Sequence, residues 1–219
     1  MANGQRASAG HDEIGTVLGA VAISAVLAFA LALRMIRSPG WQRPILGAVS
    51  FLQTIPSLAV FGLLIAPLGA LASAFPVLQA LGVRGIGWAP ALLALVAYSL
   101  LPMVRNTFVA LTDIPEHLTD AARGMGMTER QVFFQLKLPL AMPVIIEGLR
   151  ITTIQAIGLT AVAALIGAGG FGDFIFQGLG QAAMDPVLLG ALPTIALALL
   201  ADALLTMLAA SLRPTPARA

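Results

Sequence analysis

Five apolar segments, each about as long as a bilayer is thick, constrain this chain more than anything else in it. They cover residues 14–33, 45–71, 89–111, 144–167 and 187–212. A helix needs about 20 apolar residues to cross the hydrocarbon layer, and backbone in lipid must satisfy its own hydrogen bonds. The expectation is an all-α membrane protein, a bundle of about five transmembrane helices. The second segment holds Pro56 and Pro67, which predict a kink or a break. Only 10 % of residues are charged, against about 25 % in soluble domains. The 219 residues are therefore expected to form a single transmembrane domain over 1–219, with no separate soluble domain of ordinary size. The first segment is read as a span rather than a cleaved leader, because its apolar run is long and its basic flank follows it.

Basic residues predict the orientation. Arg34, Arg37, Arg43, Arg105, Arg123, Arg130, Lys137, Arg213 and Arg218 fall on one set of loops, and Arg6 and Arg84 on the other. Lys and Arg accumulate on the cytoplasmic side of membrane proteins. The N-terminus is thus expected outside, with the loop 112–143 and the C-terminus in the cytoplasm.

Several classes of function find no support. The eleven arginines and single lysine are scattered, with no basic stripe interleaved with aromatics, so nucleic acid is not an expected partner. There is no cysteine, and His11 and His117 alone do not make a metal site. Gly170 to Asp173 matches the Gly-x-Gly-Asp string of intramembrane aspartyl proteases, but that chemistry needs a second carboxylate, and Tyr98 is followed by Ser99. No internal repeat of the kind common in secondary transporters is visible. Lys137 lacks the glycines and the Ser/Thr of a phosphate-binding loop. The chain is expected to be neither an enzyme nor a holder of cofactors.

The polar loop between the third and fourth spans is the exception to an apolar chain, and its size implies a soluble partner. Asp113 to Glu116 has the form of a capping box, predicting a helix over about 114–123 that ends at Gly124 or Gly126. Thr128 to Gln131 is a second capping box, starting a short helix that Pro139 and Pro143 are expected to stop before the fourth span. Asp120, Ala121 and Ala122 are followed after three residues by Gly126, after nine more by Leu136, and then by Leu138 and Pro139. This resembles the cytoplasmic signature of ABC importer permeases (Glu-Ala-Ala, three residues, Gly, nine residues, Ile, one residue, Leu-Pro), with Asp120 for Glu and Leu136 for Ile. The stretches Leu52–Ala59, Leu101–Thr107, Ala121–Gly126 and Leu165–Gly172 look like the permeases of glycine betaine/carnitine/choline importers.

That resemblance implies a type I ABC importer permease fold in the bacterial inner membrane. It also implies a second permease subunit, two cytoplasmic ATPases that bind ATP and Mg, and an external substrate-binding protein. The loop would carry the helix that couples to the ATPase, through Asp120, Ala121, Ala122, Gly124, Gly126, Leu136, Leu138 and Pro139.

The remaining candidates come from the residues themselves. Gln53, Thr54, Ser57, Tyr98 and Asn106 are polar or amphipathic positions on spans two and three that can line a path. Gly167, Gly169, Gly170 and Gly172, followed by an amphipathic stretch 173–182, suggest a turn and short helix on the external side. They can serve close helix packing, an external gate, or both. Ionisable residues at membrane depth default to functional hypotheses. Glu147 and Arg150 are spaced for an internal ion pair, and Asp202 needs a partner, with Arg105 and Arg150 the candidates.

Overall fold

The computed structural model describes residues 2–212, the side chains of residues 2–8 and Asp12 excepted. Among the described residues every regular element is helical. Helix α1 (Ala2–Arg37) leads through a 3₁₀ turn at Pro39–Trp41 into α2 (Gln42–Thr54), α3 (Ser57–Ala74) and the short α4 (Pro76–Ala80). Helix α5 (Trp88–Thr112) is followed by α6 (Glu116–Gly124), α7 (Glu129–Gln131), a π segment at Val132–Lys137, and α8 (Leu138–Ala163). After a 3₁₀ turn at Ala164–Ile166 come α9 (Gly172–Gly180) and α10 (Met184–Ser211). Five stretches are long and apolar enough to cross a bilayer: Ala9–Arg37, Ser57–Ala74, Trp88–Thr112, Glu129–Ile166 and Met184–Ser211.

Helices α1, α5 and α8 make the centre. Val17, Ala20 and Val21 of α1 pack on Leu95 and Val96 of α5 and on Ala156 and Ile157 of α8. Further along, Ala28 and Met35 meet Met103 and Val104, so α1 and α5 run parallel in register. Ala141 of α8 lies with Ala110 and Leu111 of α5, which makes α8 antiparallel to both. Lipid gives no hydrophobic drive between helices, and close approach of small residues takes its place. Ala20, Ala28, Ala32, Ala91 and Ala94 are accordingly completely enclosed. The same reason explains Gly148, where a Cβ would lie 2.8 Å from that of Asn106. Large apolar side chains such as Leu63, Leu192, Leu199 and Leu204 point outward instead.

The break expected in segment 45–71 falls at Ile55–Pro56, leaving two helices, α2 and α3, of which α3 alone is long and apolar enough to cross, and two other expectations need correction. A residue before proline is pushed to extended backbone, and Ile55 sits at φ −76°, ψ 129°. Asp113 does not begin a capping box: its N–H bonds the Val109 carbonyl and closes α5, while Pro115 precedes α6 with no side-chain cap. Pro139 and Pro143 do not stop a helix before the fourth span, because helical backbone is continuous from Glu129 to Ile166. The π segment absorbs the first proline: the Leu138 N–H reaches back to the Phe133 carbonyl, and the wider turn makes room for the ring of Pro139, which has no N–H to place. Pro143 deprives only the exposed Pro139 carbonyl of its helical donor. Arg213 and Arg218, counted above for orientation, lie outside the described residues.

Candidate functional site

Two features stand out, a polar hollow at the break between α2 and α3 and the exposed turn between α6 and α7. The hollow encloses about 480 Å³ and is lined by residues including Gln53, Thr54, Ser57, Tyr98, Gln155 and Gly158. Non-helical backbone at membrane depth is tolerated where it is buried in protein or lines a cavity. Two of the carbonyls at the break are met by nearby hydroxyls. The Tyr98 hydroxyl donates to the Ile55 carbonyl, and Thr54 Oγ1 donates to the Phe51 carbonyl at 2.7 Å. Pro102 lies inside α5 and has no N–H for the carbonyl four residues earlier, that of Tyr98. Gln53 Nε2 supplies the missing donor at 2.8 Å. The Gln53 amide nitrogen and the Thr54 hydroxyl proton are thus spent on backbone, and the free polar surface comes from Ser57 and Gln155.

Gln53, Thr54, Ser57 and Tyr98 come together here, and Asn106 does not. Asn106 is two turns further along α5, packed on Gly148. Sequence reasoning missed Gln155 and Gly158, which lie in an apolar run on α8. A Cβ on Gly158 would meet nothing within 4 Å, so the missing side chain enlarges the hollow. Gln53, Thr54 and Ile55, at the C-terminal end of α2, line the same space, and the C-terminal end of a helix is electronegative.

The turn between α6 and α7 is built with tight local chemistry. Gly126 has φ +86°. The Met127 N–H bonds the Ala122 carbonyl at 3.1 Å and the Gly126 N–H bonds that of Arg123 at 2.9 Å, the paired bonds of a glycine-terminated helix. On the far side the capping box at Thr128 and Gln131 forms in both directions. Arg123 bridges the turn, with Nε 2.7 Å from Glu129 Oε1 and Nη1 3.4 Å from Asp120. The Glu129 hydrogen bond, more than the charge of Asp120, holds the Arg123 guanidinium above its ordinary range. Asp120, Ala121, Gly124 and Gly126 are exposed, whereas Ala122 is buried with Thr119. Leu136 and Leu138 are half-buried and Pro139 is exposed. Met125, 77 % exposed, is the apolar tip of the knob.

Elsewhere the charged candidates separate. Arg150 binds Asp202 (Nε to Oδ1, 2.6 Å) and Glu147 (Nη1 to Oε1, 2.9 Å), tying α8 to α10. Arg105 is exposed and joins no ion pair among the described residues. The glycines divide by role: Gly167, Gly169 and Gly170 have positive φ, while a Cβ on Gly172 would lie 2.4 Å from the Ala161 carbonyl. The loop they form is anchored by a residue the sequence reading passed over. Glu13 of α1 is 2 % exposed and accepts the Phe171 N–H at 2.9 Å. An acidic residue at the edge of a span was the available signal, but its partner lies 158 residues away.

Known proteins fit this architecture. Residues 20–214 match the family described as "Binding-protein-dependent transport system inner membrane component". The chain is 38 % identical to the osmoprotectant import permease protein OsmW of Salmonella typhimurium, over 96 % of this chain and 93 % of that one. It is 36 % identical to the carnitine transport permease protein OpuCB of Listeria monocytogenes (92 % and 85 % covered). With the choline transport system permease protein OpuBB of Bacillus subtilis it shares 34 % identity (93 % and 87 %). Among solved structures, a chain of the inward-facing MetNI methionine ABC transporter superimposes with a TM-score of 0.81 at 19 % identity, covering 96 % of this chain and 97 % of that one. A chain of an amino acid ABC transporter gives 0.75 at 16 % identity, covering 96 % and 95 %. The broken second span, the knob and the continuous fourth span thus sit in a fold shared with ABC importer permeases, and the chain belongs to the family of inner-membrane components of binding-protein-dependent transport systems.

Proposed function

We propose that this chain is the permease subunit of an ATP-driven importer of quaternary-ammonium osmoprotectants, the class of glycine betaine, carnitine and choline. The observation that carries this reading is the near full-length similarity to permeases named for those solutes. The hollow at the α2–α3 break is chemically compatible. A quaternary ammonium group donates no N–H or O–H hydrogen bond, and it is held by aromatic faces and by diffuse negative potential. Tyr98 and the carbonyl end of α2 supply both on a small scale. Ser57 and Gln155 are placed to meet a carboxylate or hydroxyl at the other end of such a solute.

ATP and Mg belong to a separate cytoplasmic ATPase, which docks on the α6–α7 knob through Asp120, Ala121, Gly124, Met125 and Gly126. A second permease subunit completes the path, and an external binding protein delivers solute near the loop 167–172. The basic residues put the N-terminus outside and the knob in the cytoplasm. For ATP to drive the cycle, it must bind one arrangement of the assembly better than the other.

The deciding experiment is reconstitution of the permease with its ATPase and binding protein in vesicles. Radiolabelled glycine betaine should accumulate only with ATP inside, on the side of the knob, and choline or carnitine should compete. Accumulation driven by an ion gradient without ATP would overturn the coupling; competition by methionine but not by betaine or choline would overturn the solute class.

A further inference from the structure

Between the Arg37 end of α1 and the segment that follows the knob runs a groove of about 580 Å³. Its floor is apolar, built by Phe29, Leu33 and Ile36 of α1 with Leu111 and Phe133. Its rim is cationic: Arg37, Arg130 and Lys137 all line it. Among the described residues no carboxylate pairs with any of the three. Glu129 shares the wall, but Arg123 holds it at 2.7 and 3.3 Å. Arg130 lies over the Phe134 ring at 5.9 Å, and Phe134 is itself 55 % exposed.

The depth of the groove decides what can fill it. Arg34 stacks on Trp41 at 4.4 Å, a pair suited to the membrane–water boundary. From Arg37 to Phe29 the helix descends about 12 Å, so the floor runs from that boundary into the hydrocarbon zone. A soluble ATPase cannot follow it there without stranding backbone polar groups in lipid. An acyl chain can, and a phosphate at its head meets three cations that form no ion pair among the described residues, with only the Arg123-bound Glu129 acting on Lys137. We infer that the groove holds one anionic phospholipid, its phosphate among Arg37, Arg130 and Lys137 and an acyl chain along Phe29 and Leu33. The inference rests on the membrane depth of α1 and not on the solute carried. Because Arg130 and Lys137 belong to the segment joining the knob to α8, the lipid acts on the element that couples the two.

The test is native mass spectrometry of the full-length protein released from nanodiscs of equal phosphatidylglycerol and phosphatidylcholine. Phosphatidylglycerol should be retained preferentially. Basic residues near an anionic headgroup contribute about 1 kcal/mol each, so R37Q/R130Q/K137Q should weaken retention roughly a hundredfold. Arg84→Gln, at the opposite end of the bundle, should leave it unchanged. Equal retention of the two lipids, or a triple variant that keeps the preference, refutes the site. Should the triple variant fail to insert, a photoactivatable phosphatidylglycerol on the unaltered protein decides. Cross-links within 29–37 and 129–137 support the site, and cross-links confined elsewhere refute it. A photoreactive residue at Leu33 that captures the ATPase or a second permease in place of lipid refutes it as well.

Discussion

Arg150 should be far harder to remove than either of its partners. It is one cation between two carboxylates, 2.6 Å from Asp202 and 2.9 Å from Glu147. Asp202→Asn leaves a neutral Arg150–Glu147 pair and keeps an acceptor near Nε, so its cost is that of weakening one charge-assisted bond, about 1–2 kcal/mol. Arg150→Leu instead leaves two carboxylates at membrane depth, each worth about 2.5–3.5 kcal/mol when unpaired at a helix centre. The partial exposure of the site (Arg150 30 %, Asp202 34 %, Glu147 44 %) reduces the sum, and a loss roughly two to three times that of Asp202→Asn is expected. The double variant Arg150→Leu/Asp202→Leu strands only Glu147, and should therefore be more stable than Arg150→Leu alone. Equilibrium unfolding of the purified protein in mixed micelles, with Asp202→Leu as the second single variant of a double-mutant cycle, measures this. The reasoning fails if Arg150→Leu costs no more than Asp202→Asn, or if the double variant shows the sum of the single losses.

Three further outcomes follow from particular contacts. Gly126→Arg and Asp120→Lys should abolish transport while leaving membrane insertion intact, since both change the exposed face of the knob; normal uptake in both variants would remove the coupling assignment. Gly158→Leu places a side chain in open space within the hollow, so uptake should fall while thermal stability holds; unchanged uptake would take the hollow out of the path. Gly148→Ala puts a methyl 2.8 Å from the Asn106 Cβ and should destabilise by about 1–3 kcal/mol. Asn106→Gly should relieve that loss and Asn106→Ala should not, because alanine keeps the offending carbon; equal relief by both would show that the clash lies elsewhere.

The parts of this fold legible in the sequence are those set by local chemistry. Apolar runs long enough to span a bilayer mark four of the five crossing helices almost directly, and the Thr128–Gln131 box and the Gly126 turn depend on neighbours within a few residues. The parts missed depend on distant partners or on competition. Asp113 had a capping pattern, but its N–H was already claimed by the end of α5. Pro139 and Pro143 looked like stops because the rule assumes an α-helix, and a π turn changes where the preceding carbonyls lie. Gln53 lines the hollow, but the bond of its amide to a carbonyl that Pro102, on another helix, leaves without a donor has no local signal. Neither Gln155 nor Gly158 stands out in the sequence, because the lining of the hollow is decided by which face of α8 the α2–α3 break turns toward.

The uninterrupted run from Glu129 to Ile166 constrains how this protein can move. At 1.5 Å per residue its 38 residues form a rod of about 57 Å. The rod begins at the knob, carries Arg150 and the Gln155–Gly158 wall of the hollow, and ends at the glycine loop. The capping box and the Arg123–Glu129 bridge fix the knob to its start, and the turn at Gly167, at positive φ, closes its other end. Displacing the knob therefore tilts the whole rod instead of unwinding it. The rod shares a core with α1 and α5 in which Ala20, Leu95 and Ala156 are almost wholly enclosed, and sliding within that core would open voids and lose close contacts. The opposite wall of the hollow is bound to α5 through Gln53 and Tyr98, so it travels with the same core. The less costly motion is then of the chain as a body against the second permease subunit proposed above, with the hollow gaining and losing access at that boundary.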